Sequence, residues 1–464
     1  MNSRIKQKKA SGMYNMSTRS QYIKLNHIDF LWLVMSRLFP SFGQLITLRF
    51  TTKHAPEEIK RAVRSLLSAY PRMRSVLENK IMRLRLKVPA DNDPILEKLF
   101  DESFIVKHDM VYNGRGYFEY RKMLFNEPFD LEHGLAFKIH YLPDGDTPVL
   151  FLSIHHVLTD ARGWLHMLNT FMSFLNGAPV KPIPADNPSL IPSALLKPWY
   201  DMPARLLVSF KTYKRNMNIR RNDIPIIHAR CTDFNTFGDA DLFQAEITHP
   251  FSAIHAKSHE LGCSIFAFTE LCIAAISMAI RKMAHSHDGN VIQIYFIIDM
   301  RPLFHTGKPV FGNYLLLGMI RIPGEAPENP HRLITIVRSE LMENLRQVKK
   351  RETMFPMMLN KLSTFMGLKN YTKAARYAKR SGKVPLTYIF SNIGHADRLN
   401  SHGAKAQICE VIGTVPQNGI FISSSILGDR INTGISYPVD IFTRDEIEKF
   451  FHAFDGALDD LLKV

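Results

Sequence analysis

His155-His156-Val157-Leu158-Thr159-Asp160-Ala161-Arg162-Gly163 decides how this 464-residue chain is read. The residues before it, Val149 to Ile154, form a strand-like apolar run, and after Gly163 the run WLHMLNTFMSFLNG has helical apolar spacing and ends at Gly177. The stretch is therefore a strand tip, a turn and a helix start. Successive strand residues face opposite sides, so only one of the two imidazoles can enter a given cleft. Histidine is suited to taking a proton near neutral pH. Asp160 lies on the turn, where it can brace the loop or pair with a cation. A satisfied core histidine is the alternative reading for either ring. A His-His pair at a strand end, followed by Asp and then by Gly before a helix, favours catalysis.

Upstream, Leu135 to Leu142 is also strand-like and is separated from Val149 by Pro143-Asp144-Gly145-Asp146, a turn chemistry that predicts a hairpin. Leu45 to Phe50 alternates like a strand. Ala55 to Ala69 carries Pro56 and two glutamates at its start, which predicts a helix stopped by Pro71. Downstream, residues 178–222 are rich in proline and basic, which is linker composition. Beyond them come helices within Ser252 to Met283 and over His331 to Val348. Strands are expected at Val291 to Ile298, Leu315 to Ile322, Leu386 to Phe390, Gln407 to Val415, Gly419 to Leu427 and Ile431 to Tyr437, then a closing helix over Arg444 to Leu462. The expected organisation is a basic flexible segment 1–22, an α/β lobe 23–177 carrying the His-His motif, a linker 178–222 and a second α/β lobe 223–464.

The formal charge of +16 is local. Lys197 to Asn222 holds seven basic residues and one acid, and Arg346 to Lys383 holds eleven basic residues and Glu352 alone. Both windows interleave cations with large apolar residues. That composition fits a helix on an anionic membrane surface, a groove for a phosphorylated cofactor, or a site for an acidic carrier protein. A solvated helix face packed on its own core is the plain alternative. No nucleic-acid motif is present, and none is expected as a partner.

Other classes are disfavoured. The apolar run Leu261 to Ala284 contains Glu270 and ends in Arg281 and Lys282, so it reads as a buried helix rather than a membrane span. The basic N-terminal stretch lacks an apolar core, so no secretory leader is expected. Cys231, Cys263, Cys272 and Cys409 show no paired spacing, which suits a reducing cytosol. There is no Gly-x-Ser-x-Gly elbow for an acyl-serine and no Gly-rich phosphate loop. A metal hydrolase built on His155, His156 and Asp160 or His166 meets poor geometry, because adjacent strand histidines point apart. No bound metal or cofactor is expected.

HHVLTDARG resembles the HHxxxDG signature of the condensation-domain and chloramphenicol-acetyltransferase-like acyltransferase superfamily. LNHIDFLWL, RAVRSLLSAYPRMRSVL, NEPFDLEHGLAFKIHYL, LGCSIFAFTELCIAAISMAI, IIDMRPLFHTGKPVFGNYL and TYIFSNIG are similar to further family segments and occur in family order, over roughly residues 24–462. One departure is clear. Ala161 stands where the family usually has Gly after the Asp, and Gly163 matches the DGxG form of some members. The Asp-Phe-Gly-Trp-Gly motif of plant alcohol acyltransferases is absent, and no Pro-Leu-Trp signature of wax ester synthases occurs.

The resemblance implies two chloramphenicol-acetyltransferase-like lobes forming a V, with a tunnel between them. It implies a stand-alone acyltransferase in which His156 is the general base and Asp160 is architectural, with Arg74 the candidate partner of Asp160. His155 belongs to the candidate catalytic set, with a structural role as the favoured reading. Gly163 supports the turn. Ser391 and Asn392 are expected to bind substrate, and Asp299, Arg301, Gly312 and Asn313 to be mainly structural. The donor would be acyl-CoA or an acyl carrier protein and the acceptor a hydroxyl or amine, with a lipid-like alcohol favoured. Amide-forming condensation on carrier-bound substrates, and a non-catalytic family member acting as a binding module or membrane-associated scaffold, are the alternatives. A monomer would suffice, in the cytoplasm or at the inner face of a membrane.

Overall fold

The hairpin that residues 143–146 predict is present, and the first sheet grows around it. In the computed structural model, residues 21–463 are described apart from 40, 81–82, 182, 184–198, 228–237, 285–288, 304–309, 381–386, 402 and 418. Most of the expected N-terminal segment 1–22, much of the proline-rich stretch and Cys231 lie outside the described residues. The strands are β1 Gln21–Lys24, β2 Gly43–Phe50, β3 Val76–Lys80, β4 Arg83–Val88, β5 Phe104–Val106, β6 Phe137–Leu142, β7 Val149–His155, β8 Ala240–Glu246, β9 Val291–Asp299, β10 Leu315–Pro323, β11 Tyr388–His395, β12 Ile408–Thr414, β13 Ile420–Leu427 and β14 Arg430–Pro438. The helices are α1 His27–Met35, α2 Pro56–Ala69, α3 Pro94–Ser103, α4 Tyr117–Asn126, α5 Ala161–Leu175, α6 Met202–Arg220, α7 Phe251–Glu260, α8 Ala267–Met283, α9 Pro330–Lys349, α10 Met354–Ser363, α11 Gly367–Arg380 and α12 Arg444–Lys463.

Three sheets result, ordered β1-β4-β3, β12-β2-β7-β6-β5 and β10-β9-β11-β13-β14-β8. In the second, β7 is buried along its whole length between antiparallel β2 and β6, which explains its continuous apolar run. In the third, β11 pairs in parallel with β9 and β13, and the remaining contacts are antiparallel. α8 takes up the long apolar run: Leu271 to Ser277 are all fully buried. Among the described residues no helix is long and apolar enough to cross a membrane.

The chain does not divide as simply as composition suggested. β12 comes from the second half but pairs antiparallel with β2 of the first-half sheet, Val411 opposite Leu48 and Thr414 opposite Leu45. The interval 223–464 is therefore not one self-contained lobe. Polar side chains fasten the crossing strand. Ser425 and Ser436, both fully buried, donate to the carbonyls of Val411 and Val415. Within the expected linker, Met202–Arg220 is helix, with its proline in the first turn, where a missing N–H costs nothing.

Gly413 on the crossing strand lies flat against Trp164 of α5, and a Cβ there would sit 2.6 Å from the indole Cζ2. Trp164 is itself 1% exposed. Gly413→Val is expected to destabilise the protein by about 1–3 kcal/mol, as overpacking does. Urea denaturation would show a lower midpoint at unchanged m, and combining it with Trp164→Leu should recover part of the loss. An unchanged midpoint would mean that the strand does not rest on the indole.

Candidate active site

The N-cap of α5 is Asp160. Its Oδ1 accepts the Gly163 N–H at 3.0 Å, which starts the helix. Oδ1 also accepts Arg301 Nη2 at 2.9 Å, while Oδ2 accepts Arg301 Nη1 at 3.1 Å and the Tyr314 N–H at 2.8 Å. This carboxylate is buried, and both oxygens are occupied by a bidentate guanidinium and two backbone donors. It holds the turn rather than moving protons. Arg301 further binds the Gly312 carbonyl at 2.8 Å and Asp299 at 3.0 Å, so the motif in the first half is tied to the 299–314 segment of the second.

That arrangement corrects the expected Asp160–Arg74 pair. Arg74 instead donates to the carbonyls of Pro89 and Leu67, at 3.1 and 2.9 Å. The buried arginine of the Pro71-Arg72-Met73-Arg74 element is Arg72. It pairs with Asp29 at 2.7 Å and donates to the Val157 carbonyl at 2.7 Å. Arg301, expected to be mainly structural, is the partner of Asp160 and also lines the cavity.

Ala161 causes no difficulty. It is the first residue of α5 and is not among the described residues with positive φ, so the turn needs no glycine there. Gly163 is required for another reason: a Cβ on it would lie 1.8 Å from Thr159 Oγ1.

The two histidines separate as strand geometry requires. His155 turns toward Phe129, edge-on at 5.6 Å, and its Nδ1 accepts the Val157 N–H at 3.0 Å. Burial pushes it down to about 3. Unlike His156, it is not among the residues that line the cavity, and it packs instead against Phe129. The His156 ring stacks on Trp32 with centroids 4.0 Å apart, lies 6.1 Å from the Phe42 ring, and forms part of the wall of a cavity of about 860 Å³.

The protonation of His156 follows from its neighbour. Asn313 Nδ2 donates to Asp29 Oδ1 at 2.8 Å and to the His156 carbonyl at 2.7 Å. The amide nitrogen is therefore committed, and Asn313 Oδ1 is the atom 3.2 Å from His156 Nδ1. A carbonyl oxygen only accepts, so Nδ1 carries the proton and Nε2 is the bare nitrogen. Nε2 has no hydrogen-bond partner among the described residues. Burial pushes the ring down to about 4, opposed by the nearby Asp160 charge, so it is neutral at pH 7. The capping box of α1 supplies the far end of this chain. Asn26 Oδ1 accepts the Ile28 and Asp29 N–H groups, Asp29 Oδ2 accepts the Asn26 N–H, and Asp29 Oδ1 is aimed at Asn313 and Arg72.

The cavity is lined from both halves. Leu31, Trp32 and Met35 of α1 face it, with Gln44, Asp160 and Trp164 from the first half and Phe296, Leu315, Ser391 and Asn392 from the second. Ser391 and Asn392, expected to bind substrate, are both among the lining residues. Asn392 Nδ2 donates to Thr269 Oγ1 at 3.1 Å, and its buried Oδ1 has no partner. Sequence reasoning missed Asp29, Arg72 and Trp32, and took Asn313 for scaffold. Among the described residues no three His, Cys, Asp or Glu side chains gather as a metal site.

Arg301→Ala strips a buried carboxylate of its cation and should cost about 3–5 kcal/mol, whereas Arg74→Ala should leave the Asp160 turn intact. Thermal melts of both variants, with the solvent protection of the Gly163 and Tyr314 amides, separate the two outcomes. Equal exposure of those amides in both would refute the assigned pairing. A second expectation concerns acid. His27 and His140 are also pushed down to about 4 by burial. In each case the unfolded chain binds the proton first, so stability is full above about pH 6.5 and falls as pH drops toward 4, by on the order of 2 kcal/mol per residue at pH 5. Urea midpoints at pH 7 and pH 5 check this, and a flat profile would contradict it.

No protein-family model matches the chain, and no curated protein sequence matches it. Solved structures do. The TRI3 trichothecene 15-O-acetyltransferase from Fusarium sporotrichioides superposes with a TM-score of 0.69 at 12% identity, covering 95% of this chain and 94% of that one. The first condensation domain of the CDA synthetase gives 0.69 at 10% identity, covering 95% and 96%. The epimerization domain from the third module of tyrocidine synthetase B gives 0.64 at 14% identity, covering 97% and 98%. Over nearly its whole length, therefore, this chain has the fold shared by condensation domains and the TRI3 acetyltransferase.

Proposed function

We propose that the protein moves an acyl group from a thioester, acyl-CoA or an acyl carrier protein, to a hydroxyl acceptor of lipid-like character, with His156 as general base. The observation that carries this reading is the state of His156. Its ring is neutral, its tautomer is fixed by Asn313, and its free Nε2 belongs to a ring in the wall of a large, mostly apolar cavity. In the proposed step the acceptor O–H proton passes to Nε2 while the oxygen attacks the thioester carbonyl. The C–S bond then breaks, and the departing sulfur takes the proton back from the imidazolium as a free thiol. Nothing in the step calls for a covalent enzyme intermediate. Ser391, which lines the same cavity, is the proposed donor for the acyl oxygen, and Asn392, whose unpartnered atom is an acceptor, is proposed to position the substrate. The shared fold with an O-acetyltransferase supports acyl transfer to oxygen. Its sharing with condensation domains supports a second reading, in which the same base serves an amine on a carrier-bound substrate.

The test is thiol release from acyl-CoA with a long-chain alcohol or diacylglycerol, run beside an aminoacyl pantetheine thioester as the amine-bearing acceptor. His156→Ala should lower kcat by about 10²–10⁴, and undiminished turnover would remove His156 as the base. The pH profile adds an independent reading. A base held near pH 4 by burial is already unprotonated at neutrality, so kcat/KM should be flat from about pH 6 to 8, with its acid limb well below the ordinary histidine range. A limb near pH 6.5 would contradict the buried, neutral ring.

A further inference from the structure

We propose that α6 and the corner between α10 and α11 form a docking surface for an anionic lipid bilayer. α6 runs for nineteen residues yet only Ser209 is buried, so no core explains its apolar side chains. Leu207, Phe210 and Met217 are exposed on it, as are Leu362, Phe365 and Met366 at the corner, with Phe365 82% exposed and Leu362 55%. The elements are continuous. Ser209 Oγ donates to the Glu352 carbonyl at 2.5 Å and accepts the Phe355 N–H at 2.7 Å, and the Phe210 and Phe355 rings meet at 5.1 Å.

The charge left over on this surface is positive, because Asp201, Glu343 and Glu352 beside it are each paired with an arginine. Between Glu352 and Asp397 the sequence holds seven lysines and arginines and no acid. Lys211, Lys214, Lys361, Lys369 and Lys373 are exposed, and none has an ion-pair partner among the described residues. Large apolar groups and cations alternate along the helices. A protein interface instead gathers its apolar residues in a centre with a polar rim. A second copy of this chain would oppose cation to cation. Interleaved cations and exposed aliphatic and aromatic groups match the boundary of an anionic bilayer, where each cation near the surface adds attraction and the apolar groups enter the acyl layer.

The surface also borders the cavity. Lys349 and Arg351, just before α10, line it, and so do Leu31 and Met35 of α1. α11 packs on α1 through the stacked Phe30 and Tyr371 rings, 5.9 Å apart. Docking would bring the cavity toward a membrane-borne acceptor. That consequence rests on the acyl-transfer reading, whereas the docking itself does not.

Co-sedimentation of the full chain with phosphatidylcholine vesicles, with and without phosphatidylserine, tests it. Binding should require phosphatidylserine and weaken with added salt. It should fall at least about tenfold in Lys369→Glu/Lys373→Glu and in Leu362→Ser/Phe365→Ser. Both variants should keep the wild-type melting temperature and, with a short acyl-CoA and a water-soluble alcohol, wild-type turnover. Equal binding to both vesicle types, no binding, or variants that bind like wild type would overturn the proposal. So would saturable binding to a purified acidic acyl carrier protein in place of vesicles, or a dimer by sedimentation velocity that these substitutions dissolve. Docking without turnover would sink the acyl-transfer reading and leave this one standing.

Discussion

A single carboxylate holds the two halves of the site in register. Asp160 accepts from its own helix, from a guanidinium 141 residues further along the chain and from the Tyr314 backbone. Each donor removes one degree of freedom from the turn that carries His156. The charge is buried, but it is fully satisfied, which is the condition under which an interior ion pair specifies geometry rather than weakening the fold. Take away Arg301 and the same carboxylate becomes an unpaired charge in a low-dielectric wall.

Behind the His156 ring lies a second polar chain, running Arg72 to Asp29 to Asn313 to His156. It does different work. The first network fixes where the backbone goes, and the second decides which nitrogen of the imidazole holds the proton. An amide is well suited to that task because its two ends cannot exchange roles once the nitrogen has acceptors on both sides. The stacked Trp32 ring then leaves the imidazole little freedom to rotate.

The strand, turn and helix around His156 were legible because β7 is buried on both faces and α5 on one, and burial writes itself into apolar periodicity. His156, Asp160 and Gly163 were legible for the same reason, as features of one continuous stretch. The partner of Asp160 was not. Arg74 and Arg301 are the same residue type, and no local pattern ranks a contact made across 141 residues. α6 lies in a proline-rich basic window whose composition fitted a surface helix, and its proline occupies a first-turn position that helices accept. β12 reads as a strand anywhere, and nothing in its composition says which sheet it joins.

The crossing strand has a consequence for biogenesis. As the chain emerges from the ribosome, β2 and β7 can pair early, but the outer edge of β2 waits for Ile408–Thr414. Until then that edge presents unpaired amides and carbonyls, the arrangement that recruits foreign strands. The first-half sheet thus stays an open template until Ile408–Thr414 has been made, long after β2 and β7, which puts a premium on how fast the intervening chain is completed.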